Sequence, residues 1–106
     1  MPVIIESTHT EVKAKVFGEL DHHNAVDIRK NIDESIEKIR PKLLIIDFSN
    51  LTFMDSSGVG LIMGRYKTMK LFDGEIEIHN PPQGVEKILK LSGIEKLAKI
   101  IKTKEE

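Results

Sequence analysis

The chain has 106 residues, no cysteine, and 16 basic against 17 acidic side chains, which leaves a formal net charge of -1. This length fits one domain, residues 1–106, and the 40% apolar and 31% charged fractions are typical of a packed globular protein whose balanced charge attracts neither nucleic acid nor an anionic membrane. Since neither a signal peptide nor a bilayer-spanning apolar stretch is recognisable and cysteine chemistry is excluded, we expect a cytoplasmic protein without disulfides or zinc–cysteine sites. We also expect a monomer, although composition does not reveal the oligomeric state.

The first half of the chain predicts a hairpin, a helix and a buried strand. Val3 to Glu6 and Glu11 to Phe17 are short segments rich in β-branched residues, which favours an antiparallel pair of strands. From Asp21 to Arg40 apolar residues recur every three or four positions, which predicts a helix with Asp21 as its N-cap. The apolar run Leu43 to Phe48 predicts a strand at the centre of the sheet, covered on both faces.

The second half continues the alternation of helices and strands. A connection over Ser49 to Asp55 should lead into a helix from Ser56 to about Phe72 and then a strand over Glu75 to His79. A third helix should end at Ser92-Gly93, and Glu95 to Lys102 should form a short helix running into an edge strand, before a frayed lysine-rich end. The second helix should bury a stripe made of Val59, Ile62, Met63, Tyr66 and Met69. The pattern predicts an α/β fold with a mixed, mainly parallel sheet of four or five strands and three or four helices.

One segment combines an acidic residue, two hydroxyls and two glycines: Asp55-Ser56-Ser57-Gly58-Val59-Gly60. It lies where the central strand feeds the second helix, and backbone N–H groups point outward unpaired at such a junction. A serine in this place is accessible to another protein's active site while its backbone stays well defined. Aspartate and serine are also favoured helix caps, so a purely structural role for Asp55 or Ser56 stays open at this point.

Three common site types can be compared with this segment, and none fits. A nucleophile elbow needs Gly-x-Ser-x-Gly, but Met54 and Asp55 stand where its first glycine would be. Gly58 and Gly60 are followed by Gly64, one residue late for a dinucleotide fingerprint, and a Walker A Gly-Lys-Ser/Thr is missing. We interpret Gly60 and Gly64 as small residues that let the helix lie close to the sheet.

A second polar segment, Gly18-Glu19-Leu20-Asp21-His22-His23, leads from the second strand into the first helix. Right-handed crossovers would bring it to the same end of the sheet as Ser56. The adjacent histidines should diverge at a helix start, and His9 and His79 have no ligand spacing to them, so we expect no metal site. Capping and solvation alone would account for the two carboxylates.

Both segments resemble those of the STAS-domain anti-sigma factor antagonists, and the resemblance covers nearly the whole chain. Its densest parts are Gly18 to His23 and Phe53 to Gly60, the latter continuing to Gly64-Arg65-Tyr66-Lys67. Asp-Ser-Ser-Gly is shared by related antagonists, whereas the His-His and Arg-Tyr-Lys context favours the sporulation members that act on the sigma-F regulator. Val59 stands where leucine is common and the C-terminus looks short. The resemblance implies a STAS-type α/β domain.

The resemblance also implies a phosphorylation switch without a cofactor or a catalytic residue. The serine directly after the aspartate, Ser56, would be the phosphoacceptor. The partner would be an ATP-dependent serine kinase that is also the anti-sigma factor: the unphosphorylated form binds it and frees the sigma factor, phosphorylation ends binding, and a phosphatase restores the active form. The surface carried over for partner binding consists of Glu19, Asp21, His22, Asp55, Ser56, Ser57, Gly58, Val59 and Gly60.

Other functions stay open on the residues alone. A small phosphate- or nucleotide-binding enzyme would use Asp47 and Asp55 to hold Mg²⁺, or Ser56 as a nucleophile, although the sequence positions no histidine or lysine as its base. A receiver phosphorylated on aspartate would suit the α/β pattern but lacks the acidic pair expected after the first strand. An antagonist for a stress-response sigma factor is the alternative within the family.

Overall fold

The computed structural model describes residues 2–103, which form one five-stranded sheet connected by three α-helices and a short 3₁₀ helix. The elements are β1 (Val3–Ser7), β2 (Glu11–Leu20), α1 (His22–Ile39), β3 (Leu43–Met54), α2 (Ser56–Lys70), β4 (Glu75–His79), α3 (Gln83–Ser92), the 3₁₀ helix (Ile94–Lys96) and β5 (Lys99–Ile101). β1 is antiparallel to β2, and the other neighbours are parallel. The predicted fold class, a mixed and mainly parallel α/β sheet, is confirmed.

The strands lie in the sheet in the same order as in the chain, with β3 at the centre as predicted. Right-handed crossovers that always advance in one direction place the helices on one face of the sheet. The core lies between that face and the helices, and its completely buried side chains include Val12, Ala14, Val16, Ile28, Ile32, Leu44, Ile46, Phe48, Ile62, Ile78 and Leu89. No helix within residues 2–103 has the length and apolar character needed to cross a membrane.

The opposite face of the sheet carries long charged side chains. Ile45 points to this face and is only 7% exposed, because Lys13 and Glu77 flank it on the neighbouring strands. The aliphatic stems of such charged residues cover apolar surface while their ends stay in water. β3 is therefore buried on both sides, as its apolar run predicts.

β3 extends six residues beyond the predicted strand, and the predicted connection from Ser49 to Asp55 is wrong. β2 also continues, to Leu20, and the two strands stay paired until Leu20 lies opposite Met54. Two irregularities in the register allow this, the second at Gly18, whose φ of 75° is readily reached only by glycine. Backbone pairing overrides the loss of the continuous apolar pattern in this part of β3, where only Leu51 and Met54 are buried.

The predicted buried stripe of α2 is only partly right. Met63 is 38% exposed, while Leu61 and Arg65 are buried. The buried face is made of Gly58, Leu61, Ile62, Arg65 and Met69, which recur at helical spacing from the start of the helix.

A close approach between α2 and the strand ends fixes which face of this helix is buried. An added Cβ at Gly58 would collide with the Met54 side chain and lie 3.1 Å from Leu20 Cδ2. At Gly60 and Gly64 an added Cβ would meet no atom within 4 Å. The interpretation of those two glycines as close-packing positions is therefore wrong, and Gly58 has that role.

The end of the described chain is held in place rather than frayed. Lys102 Nζ lies 2.7 Å from Glu86 Oε1, and the backbone N–H of Thr103 donates to Asn80 Oδ1 at 2.8 Å. The two lysines around Glu86, Lys102 first, lower the pKa of its carboxyl. The prediction of fraying is wrong for Lys102 and Thr103, and its remainder concerns residues 104–106, which lie outside the described residues.

The packing of Gly58 can be tested with alanine. We expect Gly58→Ala to lower the free energy of unfolding by about 1 to 3 kcal/mol, because the methyl group overpacks the junction with Met54 and Leu20. The matched control is Gly60→Ala, which should raise stability by up to about 1 kcal/mol, because it places a better helix former in open space. Urea denaturation followed by circular dichroism measures both; equal effects of the two substitutions would contradict this packing.

Candidate partner-binding site

The two polar segments meet at one end of the sheet, where the parallel strands β2 and β3 both finish. Leu20 and Met54 are paired there, and the backbone N–H of Asp55 donates to the carbonyl of Leu20 at 3.3 Å. A helix begins immediately after each strand, and each has an aspartate as its N-cap, Asp21 for α1 and Asp55 for α2. Two negatively charged caps therefore lie side by side at the carboxyl edge of the sheet.

Asp21 caps α1 with one carboxylate oxygen. Its Oδ1 accepts the backbone N–H groups of Asn24 at 2.9 Å and of His23 at 3.0 Å. The bond from Asn24 is the main cause that lowers the pKa of Asp21 below its ordinary value, and the bond from His23 and the nearby imidazoles act in the same direction. The N-cap role predicted for this residue is confirmed.

The turn that precedes this cap is fixed from two sides. The hydroxyl of Thr52 donates to the carbonyl of Gly18 at 2.9 Å, and the side-chain amide of Asn24 donates to the carbonyl of Glu19 at 2.8 Å. Within residues 2–103 the carboxylate of Glu19 itself makes no hydrogen bond or ion pair. Sequence reasoning missed Thr52 and Asn24; an asparagine three residues after a capping aspartate was the available signal.

The two serines after β3 differ in their exposure to solvent and in their hydrogen bonding. The backbone N–H of Ser57 donates to Asp55 Oδ1 at 2.8 Å, and that of Gly58 donates to the Asp55 carbonyl at 3.0 Å. Ser57 is half-buried, whereas Ser56 is exposed as the first residue of α2. The Ser56 hydroxyl has no hydrogen-bond partner in the part of the chain that the structure describes. Of the two hydroxyls, Ser56 is the one presented outward.

The remaining predicted residues lie in the first turns of α1 and α2. Gly58 is buried under the helix start, Val59 is half-buried against the core, and Gly60 is exposed one turn along α2. His22 lies beside Asp21 with its ring exposed. The structure thus brings all nine predicted partner-binding residues to one end of the sheet.

The two adjacent histidines do not diverge as expected. The rings of His22 and His23 are 4.2 Å apart between centroids and inclined by 33°. Side chains in the first turn of a helix lean toward its N-terminus, which lets two exposed rings contact each other. Among residues 2–103 no three histidine, aspartate or glutamate side chains are grouped as metal ligands would be.

The geometry does not support the magnesium alternative. Asp47 lies on the charged face of the sheet, where its Oδ1 accepts the Ser49 hydroxyl at 2.7 Å. Asp55 is eight positions further along the chain at the end of β3, roughly 25 Å away at the rise of an extended strand. The two carboxylates cannot share an ion.

The start of α2 is suited to carry an anion. The unpaired N–H groups and the dipole of a helix N-terminus stabilise a nearby negative charge by about 0.3 to 2 kcal/mol. Ser56 occupies this position, and no other side chain of the described residues competes for its hydroxyl. Modification of that hydroxyl requires no rearrangement of the cap formed by Asp55.

The lowered pKa of Asp21 predicts an acid-sensitive stability. Its ionised form is favoured in the folded state, so its contribution is complete above the ordinary pKa of 3.8 and is lost as the pH falls through the lower folded value. We expect Asp21→Asn, which keeps a capping side chain, to lose less stability than the wild type between about pH 5 and pH 3. Urea denaturation across this range measures both; parallel pH profiles would contradict the prediction.

Comparisons with known proteins agree with this architecture. Residues 3–106 match the family model described as the STAS domain. The chain is 40% identical over 88 residues to the anti-sigma F factor antagonist of Paenibacillus polymyxa, an alignment that covers 81% of this chain and 74% of that protein.

Two solved structures are similar over almost the whole chain. The anti-sigma factor antagonist SpoIIAA in its unphosphorylated form matches with a TM-score of 0.86 and 35% identity, covering 97% of this chain and 89% of that one. The Bacillus cell fate determinant SpoIIAA in the phosphorylated form matches with a TM-score of 0.77 and 34% identity, covering 97% and 92%. Sequence and fold agree, and the chain belongs to the STAS-domain family of anti-sigma factor antagonists.

Proposed function

We propose that this chain is an anti-sigma F factor antagonist whose binding to the anti-sigma factor is ended by phosphorylation of Ser56. The unphosphorylated form binds the regulator, an ATP-dependent serine kinase, and so frees the sporulation sigma factor. The kinase then phosphorylates Ser56 and releases the antagonist, and a phosphatase restores it. The chain acts as a monomeric, non-enzymatic cytoplasmic module. The exposed, unbonded hydroxyl of Ser56 beside two aspartate caps is the observation that carries this proposal.

The similar proteins support the assignment of partner and modification. A protein 40% identical to this chain is named an anti-sigma F factor antagonist. SpoIIAA, at 34% and 35% identity, has been solved in a phosphorylated and an unphosphorylated form. The Asp-Ser-Ser-Gly segment that the resemblance identifies lies at the start of α2. Phosphorylation of the exposed Ser56 hydroxyl there would meet no steric hindrance.

The two capping aspartates give the proposed surface its charge. Asp21 and Asp55 each use Oδ1 for their cap. In residues 2–103 neither Oδ2 accepts a hydrogen bond, and the Glu19 carboxylate next to them is equally unpaired. Carboxylate oxygens with free lone pairs bind arginine or lysine through charge-assisted hydrogen bonds. The proposed surface is therefore acidic, and the partner should present basic residues to it.

Phosphorylation changes the interface much more than the domain. A phosphoserine carries about 1.5 to 2 negative charges, which a helix N-terminus tolerates. A kinase, however, holds the phosphates of its nucleotide in line with the acceptor hydroxyl, so the phosphoserine stays next to like charges in the complex. Each pair of unit charges about 4 to 6 Å apart costs on the order of 3 to 4 kcal/mol at an effective dielectric constant near 20. A hundredfold loss of affinity needs only about 2.7 kcal/mol.

The acceptor assignment can be tested with the two serines as matched variants. After incubation with the cognate anti-sigma kinase and ATP, we expect mass spectrometry to place one phosphate on Ser56 in the wild type and in Ser57→Ala, and none in Ser56→Ala. Ser56→Ala should still bind the kinase, because it lacks only the acceptor oxygen, whereas Ser56→Asp should bind poorly.

Two results would contradict the proposal. One is phosphate on Ser57 or on an aspartate, the latter being recognisable because an acyl phosphate is labile where a phosphoserine is stable to acid. The other is turnover of ATP or of a phosphate ester by the purified chain alone, which would indicate an enzyme.

A further inference from the structure

A groove separates α1 from α2 next to the exposed serine. It encloses about 300 Å³, and its walls include Val26 and Arg29 of α1 and Ser57, Gly60, Gly64 and Arg65 of α2. The groove is open because the two glycines have no side chain, and a Cβ added at either would meet no atom within 4 Å. These glycines leave a recess on the helix surface.

The wall of this groove contains a buried guanidinium with unused donors. The side chain of Arg65 is 9% exposed, and its Nε lies 3.0 Å from Asp33 Oδ1 at an angle too oblique for a hydrogen bond. Among the described residues Nη1 of Arg65 has no hydrogen-bond partner and is cut off from solvent. Most buried donors in proteins are paired, and an arginine left with free donors is exceptional.

The charge in the groove is unbalanced as well. Burial lowers the pKa of Arg65, Asp33 opposes this effect, and the nearby guanidinium of Arg29 lowers the pKa further. Two cations thus face one carboxylate, which is itself partly exposed. An additional anion in the groove would attract both guanidinium groups and relieve the repulsion between them.

We propose that this groove receives a carboxylate side chain of the anti-sigma regulator. The inference rests on the proposed function, because Ser57 and Gly60 belong both to the groove and to the predicted partner-binding surface. Val26, an apolar side chain that is 52% exposed at the groove, favours a protein segment over a free inorganic ion, since it offers an apolar wall to the partner's side chains. Guanidinium groups bind carboxylates in a planar, bidentate geometry with two parallel hydrogen bonds.

The interface would then contain two sites of opposite charge. The caps Asp21 and Asp55 attract a basic group, and the groove with Arg29 and Arg65 attracts an acidic one. Opposite charges at two separate points fix the orientation in which a partner can dock and reject partners with the reverse pattern. The regulator should therefore carry an acidic residue on the surface next to the basic one that meets the caps.

Filling the recess tests this inference without touching the acidic surface. Gly64→Leu places a side chain in the groove, and Gly64→Ala is the matched control that adds one methyl group. Both replace glycine inside a helix by better helix formers, so we expect neither melting temperature to fall. Calorimetric titration with the nucleotide-bound regulator should show about tenfold or greater loss of affinity for the leucine variant and about threefold or less for alanine.

A charge reversal tests the chemistry of the occupant. Arg29→Glu should weaken binding by about tenfold or more. A regulator in which one exposed aspartate or glutamate is replaced by lysine should bind the Arg29→Glu variant more tightly than the unmodified regulator does, restoring at least half of the lost binding free energy. Failure of every such lysine variant of the regulator to restore affinity would overturn the assignment of a carboxylate.

The possible results distinguish this inference from the proposed function. If the wild type does not bind the regulator, the proposed function fails. If the wild type binds and the folded Gly64→Leu variant binds equally well, the groove proposal alone is overturned. Sedimentation of the isolated chain gives a further check: self-association that Gly64→Leu abolishes would make a second copy of this chain the occupant and would also overturn the proposal.

Discussion

The parallel pairing of β2 with β3, continued until Leu20 lies opposite Met54, is the constraint on which the rest of this structure depends. Because the strands end together, the helices that follow them begin together, and their capping residues Asp21 and Asp55 become neighbours. The approach of Gly58 to Met54 and Leu20 then sets the rotation of α2 about its axis. That rotation exposes Ser56 and directs Arg65 toward the groove. A shorter β2 or a larger residue at Gly58 would move all of these groups.

The same arrangement is compatible with the proposed phosphorylation switch in so small a domain. The proposed phosphate would lie at the positive end of a helix, outside the core, and the hydrogen bonds that hold the helix start are made by Asp55 rather than by the serine. Loss of binding therefore need not be accompanied by a change of fold. If the groove binds a carboxylate as proposed, the surface would distinguish partners by the order of their charges, because the acidic caps and the basic groove lie at the same end of the molecule.

Much of the architecture could be predicted from periodicity alone. Three patterns show directly which side chains are buried: the alternation in β2, the apolar stripe of α1 and the continuous apolar run in β3. These elements and their order therefore follow from the sequence. The capping role of Asp21 follows as well, because few residue types satisfy the free N–H groups of a helix start. The role proposed for Ser56 comes from the family resemblance, since local chemistry alone leaves a plain helix cap as an equal explanation.

The errors occur where pairing or packing overrides the local pattern. The outer half of β3 lacks apolar alternation and is a strand only because β2 extends beside it. Met63 has the character of a core residue, but the contact at Gly58 turns it outward, and the buried position goes to Arg65. The groove could not be predicted, because whether a helical glycine marks close packing or an open recess depends on the neighbouring element.

An anion on Ser56 is proposed to leave the isolated domain intact and to prevent its association with the regulator. The most direct measurement compares the enzymatically phosphorylated protein with the unmodified protein. Amide NMR spectra of the two free forms report on the fold, and titration of each form with the nucleotide-bound anti-sigma factor reports on the affinity. We predict spectral changes confined to residues around the α2 start and a dissociation constant that is about a hundredfold or more larger for the phosphorylated form. Equal dissociation constants for the two forms would contradict the account.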